Sequence, residues 1–118
     1  MNFRQRLANA GPSRETVVTV GVFDGVHQGH RHLLRQVVEL ARSRYIPTVV
    51  TFSNRPITVL RPGTEPSYLT SLDQRVDLIK QQGIELVVCL DFTLELAAVT
   101  ATDFAKLLGD SLKMKGLI

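Results

Sequence analysis

The stretch that decides the fold runs from Thr19 to Leu34 and reads TVGVFDGVHQGHRHLL. It overlaps a β-branched run that starts at Thr16, and a strand covered on both faces of a sheet has this composition. Beyond the glycines, apolar residues recur at the spacing of one helix face, at Leu33, Leu34, Val37, Val38 and Ala41. The stretch is therefore predicted to be the glycine-rich loop between a first strand and its crossover helix.

The rest of the chain repeats this alternation of strands and helices. Further strands are predicted at IPTVVTF, from Ile46, and at IELVVCL, from Ile84. Helices are predicted to begin at the caps Thr70 or Ser71 and at Thr100. The second of these is expected to stop at Gly116, and a fourth strand to start at Leu117. The order predicts an α/β fold, a Rossmann-like doubly wound parallel sheet, truncated before its later strands.

Length and composition limit the classes of protein to consider. The 118 residues predict one domain, with residues 1–15 as a polar lead-in and residues 16–118 as the folded part. The net charge of +3 is scattered and does not indicate a nucleic-acid partner. The single cysteine, Cys89, lies in an apolar run and is predicted to be an inert core residue. No signal-peptide pattern or membrane-length apolar run is present, so a cytoplasmic protein without a membrane partner is expected.

The loop itself has the composition of an anion site. Gly21 and Gly25 let the main chain approach a bulky ligand, and Gly29 leaves the predicted helix start open. A helix N-terminus carries N–H donors and a positive dipole end, which favour phosphate. His27 and His30 are three residues apart, so they are expected to share one face of the first turn. The alternative is a glycine-rich loop whose histidines have no chemical role.

Other sites that such residues could form are disfavoured by the sequence. The loop matches neither the GxGxxG pattern nor the GxxxxGK[ST] pattern. The two histidines lack evident cysteine or carboxylate partners for zinc, so no metal ligands are predicted. No motif of a serine nucleophile is present.

The quoted stretch, with its His-x-Gly-His sequence, resembles the first motif of the bacterial FAD synthetases, the riboflavin kinase/FMN adenylyltransferase family within the HxGH nucleotidyltransferases. VVTFSNRPITVLRP, from Val49, is similar to the second segment of that family. LTSLDQRVDLIKQQGIELVVCLDFTLELAAVTATDFAKLL, from Leu69, is similar to its middle section. The resemblance covers about Val17 to Ile118 and implies the N-terminal part of the adenylyltransferase domain.

The resemblance implies adenylyl transfer, in which ATP and FMN give FAD and diphosphate, with Mg²⁺ accompanying ATP. It implies that His27 and His30 are catalytic and bind the ATP phosphates. It places ATP contacts in the loop, at Gly21, Val22, Phe23, Asp24, Gly25 and Gly29. It places the flavin side at the end of the second strand and beyond it, at Phe52, Ser53, Asn54, Arg55 and Pro56. Phe52 is equally expected to be a core residue at the end of the strand. Asp24 is expected to orient the loop or a metal-bound water, or only to cap the turn.

Two departures from the family pattern leave alternatives open. Arg55 stands where the family usually has histidine before Pro56, and an arginine there is expected either to bind phosphate or to be a solvated loop residue. The later family motifs and the riboflavin kinase module lie outside these 118 residues, so activity of this chain alone is not expected. Self-association through an exposed first strand is expected instead. The alternative functions are a non-catalytic nucleotide- or flavin-binding module, a partner-dependent fragment, or another HxGH nucleotidyltransferase.

Overall fold

The computed structural model describes residues 2–24, 28–53 and 71–118 of the chain. The strands are β1 Thr16–Val20, β2 Ile46–Phe52, β3 Leu86–Leu90 and β4 Met114–Leu117. The helices of the described residues are α1 Phe3–Ala10, α2 Gln28–Ala41, α3 Leu72–Gln81, α4 Leu94–Ala97 and α5 Ala101–Leu112. None of these helices combines the length and the hydropathy needed to cross a membrane.

The strands form a single parallel sheet in the order β3-β2-β1-β4. Val20 pairs with Val50 and Phe52 pairs with Leu90, so the carboxyl ends of β1, β2 and β3 meet at one edge. This arrangement is the Rossmann-like α/β sheet that the sequence predicted.

Two apolar layers cover the two faces of the sheet. Because side chains alternate along a strand, Val18 and Val50 face one layer while Val17 and Val49 face the other. The first layer is completed by apolar residues of α1, α4 and α5, and the second by those of α2 and α3. The sheet is therefore wound on both faces, which explains the continuous apolar runs of β1 and β2.

The start of β4 differs from the prediction. α5 ends at Leu112, Lys113 takes a left-handed φ of 52°, and β4 begins at Met114 rather than at Leu117. Gly116 is therefore not a helix stop but a strand residue that pairs with Val17. The N–H of Ile118 donates to the carbonyl oxygen of Val18 at 2.9 Å. Since β1 lies between β2 and β4, the expectation that β1 is an exposed edge is wrong.

The N-terminal segment also contains more structure than the sequence analysis gave it. Asn2 caps α1, and its side chain and that of Gln5 each accept the other residue's N–H. Phe3 and Leu7, one turn apart, are buried in the first apolar layer, and the helix ends at Gly11 with a φ of 40°. Phe3 and Leu7 are the two large apolar residues of this helix, and two positions gave too weak a periodicity for it to be predicted.

The predicted starts of α3 and α5 are confirmed. The Ser71 hydroxyl accepts the N–H of Gln74 at 3.2 Å, and the Thr100 hydroxyl accepts the N–H of Asp103 at 3.1 Å. These caps satisfy donors that the first helical turn would otherwise leave without a partner.

Candidate functional site

The candidate site lies at the carboxyl edge of the parallel sheet, where three strands end side by side. β1 leads into the glycine-rich loop, β2 into Ser53 and β3 into Asp91. In open parallel sheets, ligands bind beyond the carboxyl ends of the strands because the connecting loops and helix N-termini meet there.

The first residues of the loop are fixed by hydrogen bonds to β2. The N–H of Gly21 donates to the carbonyl oxygen of Val50 at 3.0 Å. The Thr51 hydroxyl donates to the carbonyl oxygen of Val22 at 2.9 Å. Because these groups hold the loop on the sheet, the ATP contacts predicted for Gly21 and Val22 would have to come from other backbone atoms.

Phe23 turns its ring back into the fold. The side chain is buried in the second apolar layer, and the residue adopts a φ of 57°. A Cβ on Gly21 would lie 2.9 Å from a ring carbon of Phe23, so only glycine leaves room for this ring. The Phe23 ring also meets the His30 ring edge-to-face, with centroids 5.1 Å apart. The conformation of the loop and the position of the imidazole are therefore coupled through Phe23.

The N-terminus of α2 carries the remaining described residues of the motif. Gly29 is exposed and His30 is half-buried, both in the first turn, which contains no acidic residue. Asp24, at the end of the preceding described segment, is buried. The positive end of the helix is thus not neutralised by a carboxylate of its own first turn, which suits an anion. Gly25 and His27 lie outside the described residues, so the predicted pairing of two imidazoles remains a prediction.

The end of β2 presents Phe52 and Ser53 at the same edge. The N–H of Ser53 donates to the carbonyl oxygen of Leu90 at 2.9 Å, and its hydroxyl donates to the Asp91 carboxylate. Asp91 was not among the site residues predicted from the sequence. Its position directly after a predicted strand could have indicated it, because residues there lie at the ligand-binding edge of a parallel sheet. The predicted flavin-side residues Asn54, Arg55 and Pro56 lie outside the described residues.

An aromatic cavity of about 410 Å³ opens beside these strand ends. The Phe52 and Phe92 rings on its wall are perpendicular, with centroids 5.5 Å apart. Phe104 of α5 and small residues of α4 and α5 complete the wall, and Val20 lines it where β1 enters the glycine-rich loop. A flat apolar ring and a phosphate could therefore both be held at this edge of the sheet.

One side chain near the site was missed by the sequence analysis. Arg75 of α3 is only 1% exposed, and its Nη2 donates to the carbonyl oxygen of Phe52 at 2.7 Å. Its Nε and Nη1 are also buried and have no hydrogen-bond partner among the described residues. Arg75 lies three residues after Leu72 and four before Ile79, two apolar residues at the spacing of one helix face. This spacing on the inward face was the signal that could have found it.

Cys89 on β3 is half-buried and lies within the electrostatic reach of Arg75. Burial raises the pKa of the Cys89 thiol above its ordinary value, and the positive charge of Arg75 partly opposes this rise in pKa. A thiol with a raised pKa is a weak nucleophile at neutral pH, which agrees with its predicted inert role.

Comparisons with known proteins identify relatives over nearly the whole chain. Residues 10–118 match the family described as FAD synthetase. The chain is 36% identical, over 90% of its length, to the bifunctional riboflavin kinase/FMN adenylyltransferase of Escherichia coli strain K12, of which it covers 34%. It is 33% identical, over 99% of its length, to the protein of the same name from Pseudomonas fluorescens, of which it covers 38%. The chain thus spans about a third of the length of these relatives.

A solved structure shares the fold. The crystal structure titled "Macrolide-efflux Protein from Streptococcus pneumoniae" matches with a TM-score of 0.82 and 30% identity. The match covers 91% of this chain and 42% of that one. The shared fold, the glycine-rich loop at the carboxyl edge of the sheet, and the match over residues 10–118 agree: the chain belongs to the FAD synthetase family.

Proposed function

We propose that this chain provides the nucleotide and flavin side of an FMN adenylyltransferase, which converts ATP and FMN to FAD and diphosphate. The observation that carries the proposal is that the aromatic cavity begins at Val20, the last residue of β1, beside the loop that leads to the N-terminus of α2. An apolar ring site next to an anion site matches a substrate pair that consists of a flavin and a nucleoside triphosphate.

The proposed reaction is an in-line attack of the FMN phosphate on the α-phosphorus of ATP. An oxygen–phosphorus bond forms to the FMN phosphate, and the bond between the α-phosphorus and the bridging oxygen of the diphosphate breaks. No covalent enzyme intermediate is needed, so the residues act by positioning the substrates and stabilising charge. His27 and His30 would donate hydrogen bonds to phosphate oxygens and stabilise the negative charge that grows in the transition state.

The other residues of the edge have positioning roles in this proposal. Phe52 and Phe92 would contact the flavin ring, and Ser53 would present its hydroxyl beside it. Arg55 would bind the FMN phosphate, since a guanidinium can bind phosphate through two parallel hydrogen bonds. Gly29 would leave the helix N-terminus accessible to the ATP phosphates.

Mg²⁺ is proposed to enter with ATP. This ion takes most of its ligands from substrate phosphates and water and needs only one or two protein carboxylates. Asp24 fits this need because it is the carboxylate of the loop that precedes α2. When bound, Mg²⁺ would neutralise phosphate charge, and Asp24 would hold the loop or one water of the ion.

The test is an assay of the complete protein with ATP, FMN and Mg²⁺, with FAD separated by chromatography. Production of FAD from FMN and ATP is expected, with far less product from CTP or from riboflavin. If the protein binds both substrates and forms no FAD, the chain is a binding module. If CTP replaces ATP efficiently, the protein is a different HxGH nucleotidyltransferase.

A further inference from the structure

A buried positive charge lies against the end of β2, the strand that carries Phe52. Arg75 is among the largest fully buried side chains of the described residues. Its Nη2 donates a hydrogen bond to the carbonyl oxygen of Phe52. The ion pairs Arg14–Glu85 and Lys115–Glu15 do not include Arg75. Within the described part of the chain, the guanidinium therefore has no direct ion pair with a carboxylate.

The hydrogen bond to Phe52 does not by itself account for an arginine at this position. A neutral amide side chain could donate to the same carbonyl without the cost of burying a charge. The guanidinium lies within electrostatic reach of β3, since its positive charge opposes the rise that burial causes in the pKa of the Cys89 thiol. A charge enclosed in protein is also screened much less by salt than an exposed one.

Riboflavin and FMN share the isoalloxazine ring and differ by one phosphate group. No charged residue is among the described side chains that line the aromatic cavity, so the contacts of these side chains would be the same with both flavins. Discrimination between them has to come from groups that interact with the phosphate, and Arg55 is proposed above as one of them. Arg75 adds a second, buried positive charge, bonded to the carbonyl oxygen of Phe52, which lines the cavity.

Building on the proposed function, we propose that the buried charge of Arg75 is a specificity determinant that favours FMN over riboflavin. It acts through its field at the end of β2 and not by contact with the ligand, because the Arg75 side chain is buried. It also holds the Phe52 carbonyl, and that second effect applies equally to both flavins. The ratio of the two affinities therefore isolates the charge from the packing.

The experiment measures the dissociation constants of FMN and riboflavin by quenching of flavin fluorescence, in the complete protein and three variants. Arg75→Gln removes the charge and keeps an N–H donor, and Arg75→Lys keeps the charge. Lys80→Gln is the matched control, because Lys80 is an exposed cation in the last turn of the same helix. FAD formation by the unchanged protein is measured separately, so that a failure of the proposed function can be distinguished from a failure of the proposal about Arg75.

We expect Arg75→Gln to weaken FMN binding about tenfold relative to riboflavin, because it removes the interaction between two charges. Arg75→Lys and Lys80→Gln should leave the ratio of affinities within about twofold of the original. Equal losses for both flavins in Arg75→Gln would overturn the proposal and leave Arg75 as a support for Phe52. A ratio of FMN to riboflavin affinity that falls toward one in Arg75→Lys would overturn the proposal as well.

A second measurement needs no variant and covers the case in which Arg75→Gln does not fold. The ratio of FMN to riboflavin affinity in the unchanged protein should stay well above one at about 0.5 M KCl, because the part due to the buried charge is weakly screened even where salt reduces the part due to Arg55. A ratio that falls toward one at this salt concentration would assign the selectivity to exposed cations and overturn the proposal.

Discussion

His30 connects the glycine-rich loop to the helix that follows it, since its ring packs on Phe23 in the first turn of α2. We predict that His30→Ala, and equally His27→Ala, lowers the kcat of FAD synthesis by about 10²–10³-fold, the usual effect of losing one preorganised donor. Steady-state kinetics of the complete protein measure this. His32→Ala is the control, because His32 is an exposed residue of the same helix.

Loss of the His30 ring also removes a packing contact, so the denaturation midpoint of each variant should be recorded. An unchanged kcat in His30→Ala would exclude the catalytic role. An equal loss in His32→Ala would indicate damage to α2 rather than loss of a phosphate donor.

The pKa of the Cys89 thiol provides an independent measure of the effect of the buried Arg75 charge. We predict that Arg75→Gln raises the pKa of Cys89 further, because the guanidinium opposes the effect of burial on this thiol. The thiolate fraction at a given alkaline pH then falls, and alkylation of Cys89 by iodoacetamide becomes slower. Mass spectrometry of the Cys89 peptide over a pH series measures the rate. A faster reaction would mean that the substitution opens the structure around β3.

At the scale of single residues, the sequence was enough to place residues that come directly after a strand or at the start of a helix. Ser53 follows β2 and Gly29 lies in the first turn of α2, and both are at the edge of the sheet that parallel topology indicates. Their roles in binding remain predictions. Arg75 could not be found from charge alone, because its burial depends on how α3 packs against the sheet. Phe92 meets Phe52 only through the pairing of β2 with β3.

At the scale of elements, local chemistry sets the start of α5. The Thr100 hydroxyl accepts the N–H of Asp103, and the Asp103 carboxylate lies in the first turn. We predict that Thr100→Ala lowers the free energy of unfolding by about 1 kcal/mol, the usual cost of losing an N-cap. Thr102→Ala, at an exposed position inside the helix, is the control and should change stability by less than about 0.5 kcal/mol. Urea denaturation followed by circular dichroism compares the two, and equal effects would contradict the role of the cap.

Local sequence patterns predict some elements of this fold and not others. The caps at Ser71 and Thr100 depend only on neighbouring residues, so they could be predicted. β4 could not, because Met114–Leu117 reads MKGL and lacks the β-branched residues of a typical strand. Its strand conformation comes from pairing with β1, about a hundred residues earlier in the chain. A lysine and glycine in that segment resemble a helix end when only local sequence is considered.

At the scale of the whole molecule, the alternation of strands and helices was sufficient to predict a doubly wound sheet. Right-handed crossovers and burial of both faces leave few other arrangements for this order of elements. The contribution of α1 to the first apolar layer was not predictable in the same way, because it depends on Phe3 and Leu7, which are buried, and on Ala10, which packs against the layer. Helix–sheet packing of this kind depends on the assembled layer rather than on local pattern.

The position of β4 leads to a prediction about association. Residues 113–118 cover β1 through backbone hydrogen bonds. The Thr16 N–H donates to the carbonyl oxygen of Lys113, and the Ile118 N–H donates to the carbonyl oxygen of Val18. The Thr19 hydroxyl also donates to the carbonyl oxygen of Ile118. A chain ending at Leu112 would expose the unpaired backbone of an apolar strand, and such edges pair with other chains.

We therefore expect residues 1–112 to form dimers or larger species at concentrations at which residues 1–118 have a lower average mass. Sedimentation velocity at matched concentrations measures the masses, and circular dichroism establishes that both chains keep their helices. The comparison isolates β1, since the other edge of the sheet, at β3, is the same in both chains. Equal masses for the two folded chains would show that covering β1 is not what limits association, and that the bonds to β4 serve mainly to hold the end of α5 against the sheet.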